Sequence, residues 1–424
     1  MSLKAKLSPG QARMIIENVG NSGTPPEWGV QFFTVGLDPY LKIIQEEYLK
    51  TFIKEEGGAS FKMVIGAYGG GKTHFLYNIR DLAWKQNFMV SYSSLSPEET
   101  PFHKLHLVYQ SIARNLTYPM NSDPLVRDYE KGIGTFIKAW FSNLTDSLRS
   151  EHPDADPEAF EKLLRKALDT SLQGLENTNF INALRYAVLA LADNREETFF
   201  SILQWLLVEG YDRETHRRLG ILHEIDRSNA FSMIRSLIQW IRAIGYSGLI
   251  ILFDEAEQLP SLGTRQKDLM LSNLREIIDA CGHISFRHVM IFYSVPTENF
   301  FEGRSNIYEA LKQRIATVFD FLNPSGVRIR LENLDLNPVE ALVQIGVKLS
   351  SIYQAAYKTT LEEKKLVPAI SLLAQKAYEM RFGDIGYKRL FVQGAIRTFH
   401  GMRLNPSFAV DETTAGKIVS GAEL

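Results

Sequence analysis

Eight consecutive residues, Gly66, Ala67, Tyr68, Gly69, Gly70, Gly71, Lys72 and Thr73, fill the pattern G-x-x-x-x-G-K-[ST]. Glycine at four of these positions lets a backbone reach positive φ and turn bare N–H groups toward an anion. Lys72 is then placed to meet the β- and γ-phosphates of a nucleotide, and the Thr73 hydroxyl to ligate Mg2+. The helix that starts here adds the positive end of its dipole beneath the phosphates. A second pair, Asp254 and Glu255, ends the apolar run Leu249-Ile-Ile-Leu-Phe253. A carboxylate at the end of such a strand can sit beside the magnesium, which assigns Asp254 to the metal with Thr73. Glu255 takes the orientation and deprotonation of an attacking water. ATP and Mg2+ are the cofactors these residues imply, and Glu257, two residues on, reads as solvated.

The elements around these residues follow from hydrophobic spacing. Phe61 to Gly66 reads as a short buried strand, Lys72 to Lys85 as a helix, and Phe88 to Leu95 as the next strand. A helical region follows from about 102 to 245, broken near 118–123, 152–157 and 210–213 by Pro, Gly and Asp. Strands are then expected at Gly248–Phe253, Val289–Tyr293 and Val327–Leu331. The first two lack polar alternation, as parallel strands covered on both faces do. Helical spacing resumes from Asn337 to Phe399, and the last twenty or so residues read as a polar, frayed tail. Strands alternating with helices make the fold class α/β, a parallel-sheet phosphate-loop fold. The expected divisions are 1–117 for an N-terminal helix and the first part of the core, and 118–228 for an all-helical insertion. The second part of the core is expected over 229–334, a helical lid over 335–403 and the tail over 404–424.

Composition narrows the partners. Hydrophobic residues make up 45% and charged residues 23%, an ordinary globular balance that excludes a disordered or fibrous chain. Lys and Arg number 47 against 49 Asp and Glu, so no overall positive field advertises nucleic acid or membrane. The one cysteine, Cys281, excludes an internal disulfide and a four-cysteine zinc site, and fits a reducing cytoplasm. No apolar run reaches the ~20 residues that cross a bilayer. His103 and His106 lack the spacing and thiolate companions of a zinc site. Two basic clusters remain, Arg213 with Arg217 and Arg218, and Lys388 with Arg389, Arg397, His400 and Arg403. The first reads as a solvated helix face. The second admits either that reading or a contact with a DNA backbone.

The order of these parts resembles the AAA+ type of phosphate-loop ATPase, which has an additional strand between its phosphate-loop and acidic strands. It is especially similar to the initiator, clamp-loader and signal-transducing branches, over residues of about 31–100 and 245–400. Val35-Gly36-Leu37-Asp38 resembles the Val-Gly-Arg-Asp segment that walls the adenine pocket there, which implies Val35 and Gly36 as adenine neighbours. Asp38-Pro39 is equally a good helix start. The resemblance implies a polar sensor at the end of the strand Val289 to Tyr293, for which Ser294 and then Thr297 qualify. Leu311-Lys-Gln-Arg314 resembles the segment that sends an arginine into a neighbouring subunit's ATP, so it implies Arg314 as that finger, with Arg304 second. Such a finger acts because it neutralises charge as the phosphoryl group departs. Phe382-Gly-Asp-Ile-Gly386 resembles the lid motif Gly-Asp-x-Arg, with Gly386 in the arginine's place. Either Lys388 or Arg389 then stands in, or the lid sensor is missing.

A narrower resemblance rests on the first hundred residues, including the Gly-Thr-Pro turn and the run Tyr68 to Leu76 with His74 just past the loop. These resemble the ATP-binding domain family of BREX bacteriophage-defence systems. That resemblance implies a partner-dependent ATPase acting on or near DNA; the expected partners are further copies of the chain, as a finger across subunits requires, or other defence proteins, and no membrane. Against it stands a nucleotide-gated scaffold that holds ATP, scarcely turns it over and docks a protein partner.

Overall fold

The computed structural model describes residues 7–96, 100–118, 131–256, 262–283, 285–298, 300–301, 306–332, 336–381, 386–405 and 407–422. Six strands form one sheet: β1 (Ala59–Ile65), β2 (Met89–Ser94), β3 (Leu116–Thr117), β4 (Leu249–Asp254), β5 (Val289–Val295) and β6 (Arg328–Arg330). Their order across the sheet is β3-β2-β4-β5-β1-β6. All neighbours run parallel except β3, a two-residue strand antiparallel to β2 that the sequence pattern did not signal. β5 therefore lies between β1, which feeds the phosphate loop, and β4, which ends in Asp254.

The pleat sorts each strand onto two covered faces, and β4 and β5 are buried along their whole length. Phe61, Met63, Leu249, Ile251, Phe253 and Ile291 point into one cluster. The helices Ile133–Glu151, Pro157–Leu172, Thr178–Ala192, Glu196–Leu206 and Ala230–Ala243 contribute to that same cluster, so the helical segment continues the sheet's core. Val64, Ile250, Leu252, Met290 and Phe292 face the other way, onto Phe75, Leu76 and Ile79 of the helix Lys72–Lys85. Alternation along five strands thus clamps the helix that begins in the phosphate loop directly onto the sheet.

A lysine sits inside this arrangement. Lys62 on β1 is 1% exposed. Its Nζ donates to Tyr48 Oη at 2.8 Å, Gly326 O at 2.6 Å and Pro324 O at 3.1 Å, and it lies over the rings of Tyr48 and Phe319. Desolvation lowers its pKa to about 7. The ammonium ties the turn that precedes β6 to the interior of the sheet.

A third cluster joins the two ends of the chain. Ala12, Ile15, Ile16 and Val19 of the helix Pro9–Ser22 pack with Leu349, Ile352, Ile370, Phe391 and Ile396 of the helices Pro338–Tyr357, Glu363–Glu379 and Tyr387–Leu404. The polar, frayed tail expected after residue 404 is corrected here. Residues Glu412–Ser420 form a helix capped by Asp411, whose carboxylate accepts the Thr414 N–H at 2.7 Å. Ala415, Ile418 and Val419 recur at three and four residues and enter the cluster. Three apolar residues among polar ones give too short a period to stand out in the sequence.

Candidate nucleotide-binding site

A cleft of about 400 Å3 opens where β1 and β4 end, within the size range of small-molecule sites. Its floor is the phosphate loop. Gly69 and Gly71 take φ of +70° and +99°, conformations that side chains resist. Gly70 is needed for a different reason, since a Cβ there would stand 2.8 Å from the Ala67 carbonyl oxygen. Lys72 is 6% exposed and donates to the carbonyls of Gly66 at 3.0 Å and Ala67 at 3.3 Å. The Ala67 N–H donates to the Glu332 carboxylate at 3.0 Å.

The acidic strand end arrives from across β5. Asp254, 1% exposed, collects donors on both carboxylate oxygens. Thr73 Oγ1 reaches Oδ2 at 2.6 Å and Tyr92 Oη reaches the same oxygen at 2.8 Å. The Ser294 hydroxyl and the Glu255 N–H, the latter at 2.9 Å, meet Oδ1. Carboxylate and hydroxyl oxygens gathered at one point are the donor set a hard divalent cation takes. Glu255 is held with φ of +61°, a left-handed conformation uncommon for glutamate. That turn aims it into the cleft, where its Oε2 accepts the Ser94 hydroxyl. Ser94 pairs with Asp254 in the β2–β4 register, which places it beside the acid pair.

His74, one residue past the loop, also lines the cleft. Its Nε2 lies 2.7 Å from Thr34 Oγ1. Desolvation, and then the nearby charge of Lys388, lower its pKa to about 4, so the ring is neutral through the physiological range. Val35 and Leu37 line the cleft, while Gly36 between them makes the turn at φ of +76° and is not among the lining residues. Val19, Gly23, Thr24 and Pro25 close one side, and Leu342, Ile345, Tyr387 and Val392 another.

The first turn of the helix Tyr387–Leu404, in the region expected as a lid, lies directly on the loop. Lys388 donates to Gly70 O at 2.8 Å, and Arg389 donates to Tyr68 Oη at 2.9 Å with its guanidinium 5.0 Å from that ring's centre. Arg397 reaches Ile418 O at 3.1 Å and Arg403 reaches Tyr353 Oη at 3.0 Å, while His400 Nδ1 lies 2.9 Å from the same hydroxyl. The five basic residues grouped in the sequence are therefore engaged within the chain. Arg314 does not line the cleft; it pairs with Asp279 and donates to Ala310 O at 2.8 Å. Thr297 is exposed beyond β5 and does not line the cleft. Arg304, Glu257 and the lid residues Gly383 and Asp384 lie outside the described residues.

Sequence reasoning missed Tyr92, Ser94 and Glu332. Alternation along β2 puts Val90, Tyr92 and Ser94 on one face, but only the pairing with β4 shows that this face meets the acids. The helix ending at Ser22 gave no signal of its place beside the lid.

The family model of the BREX system ATP-binding protein BrxC/D matches residues 7–417. The chain belongs to that family. Members are ATP-binding proteins of a bacteriophage-defence system, and the match runs from just before the first helix into the helix capped by Asp411. Neither the curated proteins nor the solved structures gave a match. Among the described residues no helix is long and apolar enough to cross a membrane.

Proposed function

We propose that this BREX ATP-binding protein hydrolyses ATP with Mg2+ in an AAA+-like manner and that a partner controls its turnover. The supporting observation is the Thr73–Asp254 contact, which joins the end of the phosphate loop to the end of β4, with Glu255 next in the chain and lining the same cleft as Thr73. The loop N–H groups hold the phosphate chain, and Lys72 exchanges its two loop carbonyls for phosphate oxygens. Thr73 and Asp254 would hold Mg2+, which supplies charge neutralisation for the departing phosphate. Ser294 and Tyr92 keep the Asp254 carboxylate oriented. Glu255 takes a proton from water as that water attacks the terminal phosphorus, and the bond to the leaving diphosphate breaks.

The Ser94–Glu255 contact favours control by a partner, because it occupies the general base. It also supports the second reading, a nucleotide-gated scaffold with little hydrolysis. Assembly with other defence proteins or further copies, and an Arg314 finger acting across copies, belong to the same proposal; Arg314 must first leave Asp279. A DNA contact through the lid likewise requires Arg397 and Arg403 to leave their internal partners. Calorimetry and phosphate release on wild type, K72A and E255Q test the core claim. K72A should lose ATP binding, whereas E255Q should keep it and turn over ~100-fold more slowly or worse. Wild type that binds ATP yet releases no phosphate, with or without DNA, leaves the scaffold reading.

A further inference from the structure

A second cavity, of about 320 Å3, adjoins the cleft, and Tyr77 and Tyr92 line both. Among the described residues its lining holds three cations, Arg80, Arg114 and Lys131, and one carboxylate, Glu27. Arg80 is 6% exposed and lies 4.6 Å from the ring centres of both Tyr77 and Trp84, its neighbours one turn away on the same helix. That spacing stacks all three on one face, so the guanidinium is held in place before any ligand arrives. Its Nε and Nη2 donate to Asp81, and Nη2 also to the Glu27 carbonyl, which leaves Nη1 without an acceptor among the described residues. Arg114 and Lys131 are exposed. Arg114 pairs with Glu209 at 2.7 Å, a surface pair of the kind that contributes little and yields to a better acceptor.

We propose that this cavity is a second ligand site, for a small phosphomonoester of the size of a nucleoside monophosphate, and that its occupancy is felt in the nucleotide cleft. A guanidinium matches two phosphate oxygens at once, and a phosphate dianion offers these cations more charge than the one carboxylate Arg114 now holds. The side-chain amides of Gln110 and Asn115 and the hydroxyls of Thr100 and Ser111 suit an organic body beside the phosphate. The volume lies at the low end for small-molecule sites, which sets the size. The coupling runs through Tyr92, whose Oη donates to Asp254 at 2.8 Å and whose ring centre stands 5.2 Å from that of Tyr77. A ligand held against these two side chains in one cavity constrains them in the other; this part rests on the cleft being a nucleotide site. By linkage, each ligand then changes the other's affinity by the same factor.

Calorimetry on the full chain tests this, with the cleft filled by the magnesium complex of a non-hydrolysable ATP analogue and with AMP, adenosine and inorganic phosphate as probes. AMP should bind the filled chain, and adenosine and phosphate should each bind about tenfold more weakly or worse. R114A/K131A, at two exposed positions, should weaken AMP by about tenfold or more and leave the analogue's own affinity unchanged. R80M should weaken AMP as much; if its thermal melt departs from wild type, R114A/K131A decides alone. Release of a prebound fluorescent ATP analogue into excess ATP should change rate about fivefold when AMP is added, in wild type and not in R114A/K131A. Failure of AMP to bind the filled chain overturns the site, as does AMP affinity unchanged in R114A/K131A, or adenosine or phosphate binding as tightly as AMP. An unchanged release rate overturns the coupling. Wild type that binds no ATP analogue, yet binds AMP in a manner R114A/K131A weakens, keeps the second site and removes the nucleotide reading of the cleft.

Discussion

Asp254 is where the residues of the site depend on one another. Thr73, Tyr92, Ser294 and the Glu255 N–H all donate to it, so its carboxylate is oriented before any ligand arrives. Preorganisation of this kind removes a rearrangement from the reaction step. Glu255 is positioned differently, through a left-handed backbone and the Ser94 hydroxyl. S94A should release it, and we expect basal phosphate release to rise several-fold, up to about the tenfold that 1.4 kcal/mol represents. A fall in basal rate would mean that Ser94 orients the base productively. His74 gives a pH signature. Its folded pKa, about 4, lies below the unfolded value near 6.5, so the unfolded chain binds the proton first as pH falls. The contribution of the neutral ring is complete above pH ~6.5 and is lost progressively toward pH 4. Melting temperatures of H74Q across that window should fall less steeply than those of wild type.

At the level of elements, the turn before β6 depends on an interior cation. Lys62 holds the carbonyls of Pro324 and Gly326, and Tyr48 Oη also donates to Pro324 O at 2.7 Å. K62M keeps much of the stem's volume but leaves the buried Gly326 carbonyl without its ammonium. Chemical denaturation should show a loss of about 1–3 kcal/mol. The phosphate loop, its helix and β4 could be read from the sequence because each is a local pattern: glycines followed by Lys-Thr, then apolar spacing, then an apolar run closed by acids. Tyr92 and Ser94 could not, because their role depends on which strand β2 pairs with. Nor could the Arg314–Asp279 pair, since its residues stand 35 apart on two helices whose packing no local period encodes. Lys62 reads in sequence as an interruption of an apolar strand; only three acceptors converging from distant residues explain it.

Across the whole molecule, the helix Pro9–Ser22 belongs to the lid bundle rather than to the sheet it precedes. Gln393 Nε2 reaches Asn21 O at 3.1 Å and Tyr357 Oη reaches the Glu17 carboxylate at 3.0 Å, so the attachment is polar as well as apolar. Four buried residues of that helix, Ala12, Ile15, Ile16 and Val19, contribute on the order of 5 kcal/mol of apolar burial. That is comparable with the net stability of a typical domain. Deleting residues 7–22 should therefore lower the first melting transition sharply and remove one wall of the cleft, with weaker ATP binding measured on the same sample.

Synthesis on the ribosome gives this arrangement a cost in time. The helix Pro9–Ser22 carries an apolar stripe, and many of the residues it packs with lie more than 300 positions further along the chain. Until residues 338–420 have left the exit tunnel, that stripe lacks the helices that supply most of its cluster. The sheet can assemble in the meantime, but the cleft cannot close. Chains stalled or cleaved before those helices would present more of the stripe to chaperones and proteases.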